Sequence, residues 1–246
     1  MKISFSIIGH NEGYLIEDCL KSIKDIAFEI VYVDCDSSDN SIDIVKKYTD
    51  RIYTQKNNLN LNVNKQFGIE KCTGDWVFYI DPDERLNDSV KKEILKVIEN
   101  TDYNGFIMPR RNYYFGEWLR YGGKYPDRQL RLFKNGKGKF DCINLHERIR
   151  IDGKIGDLKN PFDHIVIEST DRLVKKMIFY MNGIAEENIK LNRKPEKILF
   201  RSVKRFFSNY FFKLGFLDGI TGFFVAVIDL FNGFLYYFRM KELNKN

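Results

Sequence analysis

Two hydrophobic periods alternate along the first hundred residues, one typical of strands and one typical of amphipathic helices. Short apolar runs rich in β-branched and aromatic residues predict buried strands, and each is followed by apolar positions at helical spacing. The strands are predicted at Lys2–Ile8, Glu29–Val33, Arg51–Thr54 and Trp76–Ile80, and the helices at Gly13–Lys24, Ser41–Tyr48, Asn60–Cys72 and Asp88–Glu99.

Strands that alternate with short helices predict an α/β fold with a parallel sheet and right-handed crossovers. In such sheets, ligands bind beyond the carboxyl ends of the strands. Three polar clusters follow predicted strands, at Gly9–Glu12, Asp34–Asp36 and Asp81–Asp83. We therefore expect the three clusters to converge at one edge of the sheet.

After residue 100 the pattern becomes less regular. Strands are predicted at Gly105–Pro109 and Gln129–Phe133, with two more short strands within Lys137–Ile151. A long amphipathic helix is predicted at Asp171–Lys190, and Pro195 opens a basic, aromatic segment.

Composition bounds the class of protein. A chain of 246 residues with 43% hydrophobic and 30% charged residues is expected to form one large α/β domain, alone or with an appendage. From Lys190 onward, eleven Lys or Arg stand against four acids, a balance of +7 in a chain of net charge +6. The basic character therefore belongs to the carboxyl-terminal part and needs a local explanation.

The four cysteines form no CxxC pair and show no zinc spacing. We interpret them as reduced thiols of a cytosolic protein. The first twelve residues become polar too quickly for a signal peptide, so they are read as the first strand.

The acidic stretch Asp81-Pro82-Asp83 has two interpretations. It is good turn chemistry and could be a solvated turn with a helix-capping acid. Carboxylates directly after a buried strand also suit Mg²⁺ or Mn²⁺, which prefer oxygen ligands and commonly share them with substrate phosphates. The preceding apolar strand and the two other polar clusters favour a metal–diphosphate site.

Five motifs occur in order along the chain: SIIGHNE, VDCDSSDNS, KQFGIEKCTGDWVFYIDPDE, PRRNYYFGEWLRYGGKYPDRQLRLFKNGKGKF and LHERI. This ordered set resembles family 2 glycosyltransferases, and within them the lipopolysaccharide-core β-glucosyltransferase subgroup. The resemblance spans about residues 3–240. It implies a GT-A fold, a nucleoside-diphosphate sugar donor that we expect to be UDP-linked, a Mg²⁺ or Mn²⁺ ion, and inversion at the anomeric carbon.

The resemblance also implies roles for individual residues. Gly9 and His10 depart from the family pattern, in which Thr and Lys are commoner. If Asp34 does not touch the nucleotide, it is expected to cap the end of its strand. If Lys65 does not lie near the base, it is expected to lie on a solvated helix face. The matching positions are Asp83 as the direct metal ligand, Asp81 facing the ribose or a metal-bound water, Glu12 and Asp34 touching the nucleotide, and Lys65 near the base.

An inverting transfer needs a base for the acceptor hydroxyl, and a carboxylate within hydrogen-bond reach could take its proton. Asp127 is the candidate, because Gly122–Gly123 permits a closely approaching loop and the family carries its base in this stretch. The alternative is a loop carboxylate paired with Arg128 or Arg131. Glu147 is the second candidate base.

The histidines and arginines carry weaker expectations. His164 matches a late metal ligand of some GT-A enzymes, although a lone histidine is more often structural. His146 and Glu147 match a family His-Glu pair. The residues that could contact the acceptor or a phosphate are Arg110, Arg111, Arg128, His146 and Glu147.

Residues 191–246, called the tail below, combine basic and aromatic residues. Lys197–Leu214 places an aromatic stripe beside four basic residues, and an apolar stretch interrupted by Asp218 and Asp229 follows. An Asp inside a membrane is costly. We therefore expect the tail to bind at the surface of an anionic membrane rather than to span it. A packed helix or an interface between copies of the chain is the alternative, and no fold signature supports nucleic-acid binding.

Together these observations predict a catalytic domain at 1–190, with a nucleotide-binding half at 1–100 and an acceptor-binding half at 101–190, followed by the tail. The predicted acceptor is a lipid-linked or lipopolysaccharide-type glycan, at the cytosolic face of the inner membrane. A sugar nucleotidyltransferase is the alternative enzyme, but GHNEG does not supply its Gly-rich basic loop. An inactive sugar-nucleotide-binding protein is the non-enzymatic alternative.

Overall fold

The computed structural model describes residues 1–143 and 147–244. The chain divides into two compact units. Unit 1 comprises 1–110 and 128–164, and unit 2 comprises 111–127 and 165–246. The predicted boundary at residue 190 coincides with the end of a long helix, and a separate role for the tail stays a prediction.

The elements of the first hundred residues follow the predicted order, with one additional short strand at Glu84–Arg85 that was not predicted. Asp88–Glu99 forms as predicted because Asn87 caps it, its side-chain oxygen accepting from the amides of Ser89 and Val90. The strands are β1 (Ile3–Gly9), β2 (Glu29–Asp34), β3 (Ile52–Thr54), β4 (Trp76–Tyr79) and β5 (Glu84–Arg85), and the helices are α1 (Ile16–Ile23), α2 (Ser41–Val45), α3 (Leu61–Glu70) and α4 (Asp88–Glu99).

The second half of the chain is richer in strands than its pattern predicts. The first of them runs through Pro109, whereas the prediction ended it there. The strands are β6 (Gly105–Tyr114), β7 (Glu117–Trp118), β8 (Asp127–Lys134), β9 (Gly138–Lys139), β10 (Arg150–Ile151), β11 (Ile155–Asp157) and β12 (Phe162–Ile167), and the helices are α5 (Thr170–Lys190), α6 (Pro195–Phe207) and α7 (Gly219–Leu243).

Unit 1 carries a mixed sheet. Its strand order is β3-β2-β1-β4-β8-β6-β12-β5, with β11 on β6. β1 pairs in parallel with β2 and with β4, and β2 with β3, so the first four strands are parallel as predicted. The later strands add antiparallel pairs, such as β4 with β8 and β12 with β5.

The core of unit 1 is aromatic. Phe5 stacks on Phe78 with ring centroids 5.4 Å apart, and Trp76 is fully buried on the same strand as Phe78. Gly68 lets α3 approach β1 closely, because a Cβ there would lie 2.5 Å from the Ser6 hydroxyl. This packing fixes the positions of the strand ends from which the candidate site is built.

The four cysteines lie in unit 1 and carry free thiols. Cys19, Cys35 and Cys72 are buried, and Cys142 is half-buried. Burial raises the pKa of each thiol above its ordinary value.

Unit 2 contains the last residues of β6 and of β12, the whole of β7, and the helices α5, α6 and α7. Leu119, Ile167 and Val225 contribute to its hydrophobic cluster. The predicted helical stripe to Leu214 is interrupted, because α6 ends at Phe207 and a π-helical turn follows over Ser208–Phe212. Leu214 then adopts a φ of 57° and redirects the chain toward a 3₁₀ turn at Gly215–Asp218.

Candidate active site

The candidate site of unit 1 begins at the carboxyl ends of β1, β2 and β4. Because these strands are parallel, the segments that follow them lie at the same edge of the sheet. Gly9 pairs with Asp34 at that edge, which brings the first two polar clusters side by side. This is the arrangement that the strand-and-helix pattern predicts.

The loops after β1 and β2 are tied together by side-chain hydrogen bonds. The Asn11 side-chain oxygen accepts from the amides of Ser38 at 2.8 Å and Asp39 at 3.2 Å. The Glu12 amide donates to the Ser41 hydroxyl at 3.0 Å. Glu12 is thereby held beside the end of β2.

Asp34 is buried at the end of β2, with 2% of its surface exposed. Its Oδ2 accepts from the Ser37 amide at 3.1 Å, so part of the predicted capping alternative is real. Its Oδ1 is buried and has no hydrogen-bond partner among the described residues. A buried carboxylate oxygen without a donor is costly, so this atom is suited to a ligand that donates.

Asp81 lies between two cations. Its Oδ1 is 2.8 Å from Lys65 Nζ, and its Oδ2 is 2.9 Å from the Arg131 guanidinium. Burial alone would raise the pKa of Asp81, but Lys65 and Arg131 outweigh it and hold that pKa well below its usual range. Lys65 is therefore part of a charge cluster rather than of a solvated helix face.

Glu84 and Arg131 form the buried base of this cluster. Glu84 is fully buried, and its Oε1 accepts from Arg131 at 2.5 Å and from Arg110 at 2.7 Å. Its Oε2 accepts from the Asp81 amide at 3.0 Å. The Arg131 guanidinium also lies 4.4 Å from the centre of the Tyr79 ring. The network thus fixes the backbone of the acidic turn from below.

No role was predicted for Glu84, and Arg131 was expected as a possible partner of Asp127. Arg131 is 3% exposed, so its charge is used inside the protein. A signal existed in the sequence, because Arg131 interrupts an apolar run between Leu130 and Phe133. A charge in such a run must be paired if the strand is buried.

Asp83 and His164 are brought together from distant parts of the chain. His164 Nε2 is 3.4 Å from Asp83 Oδ2, and both side chains are largely but not fully buried. The contact follows from the β12–β5 pairing, in which His164 lies opposite Glu84. Among the described residues, no three His, Cys, Asp or Glu side chains form a cluster able to hold a metal ion.

Asp127 begins β8 and belongs to unit 2. Its Oδ2 accepts from the Asn112 side-chain amide at 3.1 Å, and the same amide donates to the Lys124 carbonyl at 3.0 Å. Gly122 and Gly123 have φ values of 63° and 74°, the left-handed region that the tight turn before Asp127 requires.

The remaining predicted contacts have diverse surroundings. Arg111 lies over the Trp118 ring at 5.5 Å, and Arg128 pairs with Asp157 on the exposed surface. Glu147 accepts from the amides of Cys142 and Ile143. His146 lies outside the described residues. Their roles toward an acceptor stay predictions.

The tail exposes a large apolar surface. α6 buries none of its described residues, and Phe212 and Ile220 are 85% and 78% exposed. Ile220 also lines an open apolar groove of about 400 Å³, together with Phe115, Phe223, Phe224 and Val227 among others. Among the described residues, one segment, Gly215–Leu243, is long and apolar enough to cross a membrane by length and composition alone, and 22% of its most apolar window is buried.

Comparisons with known proteins agree with the resemblance. The model of the family described as Glycosyl transferase family 2 matches residues 4–164. A lipopolysaccharide core biosynthesis glycosyltransferase, LpsC of Rhizobium meliloti (strain 1021), is 28% identical over 244 residues, covering 96% of this chain and 90% of LpsC. An uncharacterized glycosyltransferase of Rickettsia bellii (strain RML369-C) is 28% identical over 258 residues, covering 99% of this chain and 87% of the relative.

A solved structure shows the same fold. S. aureus TarS in complex with UDP aligns with a TM-score of 0.50 and 14% sequence identity, over all of this chain and 92% of that chain. At this identity the likeness concerns the fold alone, and it confirms the predicted GT-A architecture.

Proposed function

The chain belongs to glycosyltransferase family 2, and from this we propose that it transfers a sugar, with inversion, from a UDP-linked donor to a lipid-linked or lipopolysaccharide-type glycan. The relative named for lipopolysaccharide core biosynthesis supports the acceptor class, and the fold neighbour bound to UDP supports the nucleotide. The observation that carries the proposal is the buried Asp34 Oδ1, which has no hydrogen-bond donor within the described part of the chain and lies at the sheet edge where this fold class binds ligands.

A ribose hydroxyl supplies the donor that Asp34 needs. Glu12 is held next to Asp34 by the loop contacts, so the pair suits the sugar and base of a nucleotide. Lys65 and Arg131 concentrate positive charge at Asp81, on the side of the site where a diphosphate would lie. We assign Asp81 to the nucleotide rather than to direct metal ligation, because both of its oxygens already pair with cations.

Asp83 and His164 suit a divalent cation together with a diphosphate. Mg²⁺ and Mn²⁺ often take few protein ligands and complete their shell with phosphate oxygens and water, so a carboxylate with one neighbouring imidazole would be enough to hold such an ion here. A bound cation would neutralise charge on the leaving diphosphate. The carboxylate of Asp83 and the imidazole of His164 would hold that cation.

Asp127 is the proposed base, removing the proton of the acceptor hydroxyl as the sugar is transferred. Asn112 fixes the orientation of its carboxylate by donating to Oδ2. Glu147 is a weaker candidate, because its two oxygens accept from neighbouring backbone amides and hold a turn.

The tail is proposed to dock on the cytosolic face of the inner membrane as an interfacial element. Exposed aromatic side chains suit insertion among acyl chains, and the positive balance of the tail suits an anionic surface. The basic residues beside the exposed aromatics are Arg201, Lys204, Arg205 and Lys213.

A UDP-release assay tests the proposed function. Purified protein with Mn²⁺ is offered UDP-glucose, UDP-galactose and UDP-N-acetylglucosamine, each with and without core-truncated lipopolysaccharide. We expect release of UDP from one donor, stimulated by the acceptor. Pyrophosphate formation from UTP and a sugar phosphate would instead indicate a nucleotidyltransferase, and UDP binding without turnover would indicate an inactive binding protein.

A further inference from the structure

The β7–β8 loop, residues 119–126, is bonded to the tail within unit 2. Three consecutive amides of the loop donate to tail acceptors. Those of Arg120 and Tyr121 donate to Asp218 Oδ1 and Oδ2 at 3.0 and 2.8 Å. That of Gly122 donates to the Lys213 carbonyl at 2.9 Å. Both oxygens of the Asp218 carboxylate therefore accept hydrogen bonds from the loop.

A second contact joins the end of the loop to α7. Lys124 Nζ is 2.8 Å from Asp229 Oδ2, and the two side chains are 19% and 30% exposed. Burial would lower the pKa of Lys124, but Tyr114 and Asp229 outweigh it and raise that pKa. Lys124 is therefore charged at neutral pH, and the partly buried pair is screened less than a surface pair.

The backbones of the loop and the tail touch between these contacts. A Cβ on Gly215 would lie 2.8 Å from the Asn209 carbonyl oxygen and 3.3 Å from the Gly122 Cα. Two polar anchors on either side of a backbone contact leave the loop little freedom to shift.

The anchored loop is connected to Asp127. Asn112 donates to the Lys124 carbonyl and to Asp127 Oδ2 from the same side-chain nitrogen. The contacts therefore run from Asp229 through Lys124 and Asn112 to the Asp127 carboxylate. They also account for two acids placed in an otherwise apolar segment, which is costly unless each acid has a partner.

We propose that Asp218 and Asp229 are positioning residues for sugar transfer, which hold the β7–β8 loop so that the Asp127 carboxylate is aimed at the acceptor hydroxyl. This assignment rests on the proposed role of Asp127 as the base. It gives the tail a function in catalysis that is independent of membrane docking.

The first measurement is hydrogen–deuterium exchange of the full-length protein. Asp218→Ala removes the acceptors of two loop amides, and Asp229→Asn leaves Lys124 without its charge partner. We expect exchange across 120–124 to accelerate about tenfold or more, the worth of hydrogen bonds to a charged acceptor. The matched control is Asp171→Asn, which removes an Asp that pairs with Lys175 at 2.8 Å on the exposed face of α5 and should change nothing in the loop.

The second measurement is acceptor-dependent UDP release with core-truncated lipopolysaccharide and the donor that wild type turns over. Asp229→Asn should lower kcat about 100-fold, the cost of a misplacement of about 1 Å, with the donor KM and UDP affinity unchanged. In an Asp127→Asn background the same substitution should cause no further loss. Lys124→Asp and Asp229→Lys should each lower kcat when made alone. The double variant, in which the two charges are swapped, should recover part of that loss.

Several results would overturn the assignment. Unchanged loop exchange would show that the tail does not hold the loop. Faster loop exchange with an unchanged kcat would limit Asp218 and Asp229 to a structural role. The same conclusion would follow if Asp229→Asn lowered kcat further in the Asp127→Asn background. If Asp127→Asn itself is fully active, the proposed base is wrong and the positioning role falls with it. A fully active Asp229→Asn beside an impaired Asp127→Asn refutes the positioning role alone.

Discussion

Glu84→Gln removes one negative charge from the fully buried network under the acidic turn while keeping the shape of the side chain. Arg131 and Arg110 lose an ionised partner at 2.5 and 2.7 Å, and the Arg131 side chain is only 4% exposed. Breaking a buried pair typically costs about 3–5 kcal/mol, because the remaining charge is left uncompensated. Arg131 keeps Asp81 at 2.9 Å, so we expect the lower end, about 3 kcal/mol.

The loss can be read from the unfolding of unit 1. Trp76 is buried there, so its fluorescence in a Trp118→Phe background follows this unit alone. For a chain of this size, about 3 kcal/mol corresponds to a fall of roughly 6–12 °C in Tm. Urea denaturation of the same proteins gives the free energy of unfolding directly.

A matched substitution separates burial from charge. Glu17→Gln removes the same charge from an exposed pair with Lys21 at 3.4 Å, and it should change the free energy of unfolding by no more than about 0.5 kcal/mol. If Glu84→Gln also stays within about 0.5 kcal/mol of wild type, the network does not stabilise the acidic turn and the reasoning is refuted.

The remaining predictions concern the site and the tail. Asp83→Asn should abolish the Mn²⁺-dependent part of UDP binding in calorimetry without changing the fold, and equal UDP affinity with Mn²⁺ and with EDTA in wild type would contradict it. Asp127→Asn should lower kcat roughly 10²- to 10⁴-fold at unchanged UDP affinity, whereas a larger loss in Glu147→Gln would move the role of base to Glu147. Charge reversal of three basic residues of α6 should abolish flotation with anionic liposomes at low salt and leave UDP binding intact, and failure of wild type to float would favour an interface between copies of the chain. The three residues are Arg201, Lys204 and Arg205.

The local pattern predicted the elements that depend on local forces. β1, β2 and β4 are short apolar runs, and α4 has both a helical period and a cap, so each appears near its predicted bounds. β5 has two residues and exists only because it pairs with β12, some eighty positions later. A two-residue strand is too short to show the hydrophobic period of a strand or of a helix, so the local sequence cannot indicate it.

The same limit applies to the site. The positions of Asp34, Asp81 and Asp83 follow from strand ends, which the sequence indicates. The pairing of Asp81 with Lys65 and Arg131, and of Asp83 with His164, depends on contacts between distant segments. Arg110 pairs with Glu84 inside unit 1, a contact that the sequence did not indicate, and its expected role toward an acceptor or phosphate stays a prediction.

The placement of the thiols has a practical consequence for spectroscopy. Residues 111–127 and 165–246 contain no cysteine, and the four native thiols in unit 1 have raised pKa values, about 12 for Cys72. Because the thiolate is the species that alkylates, these thiols react slowly at neutral pH. A cysteine introduced at Phe212, which is 85% exposed, would therefore react with a maleimide dye much faster than the native ones. The wild-type cysteines can stay in place, and the emission of such a dye would report directly whether this surface enters a lipid phase.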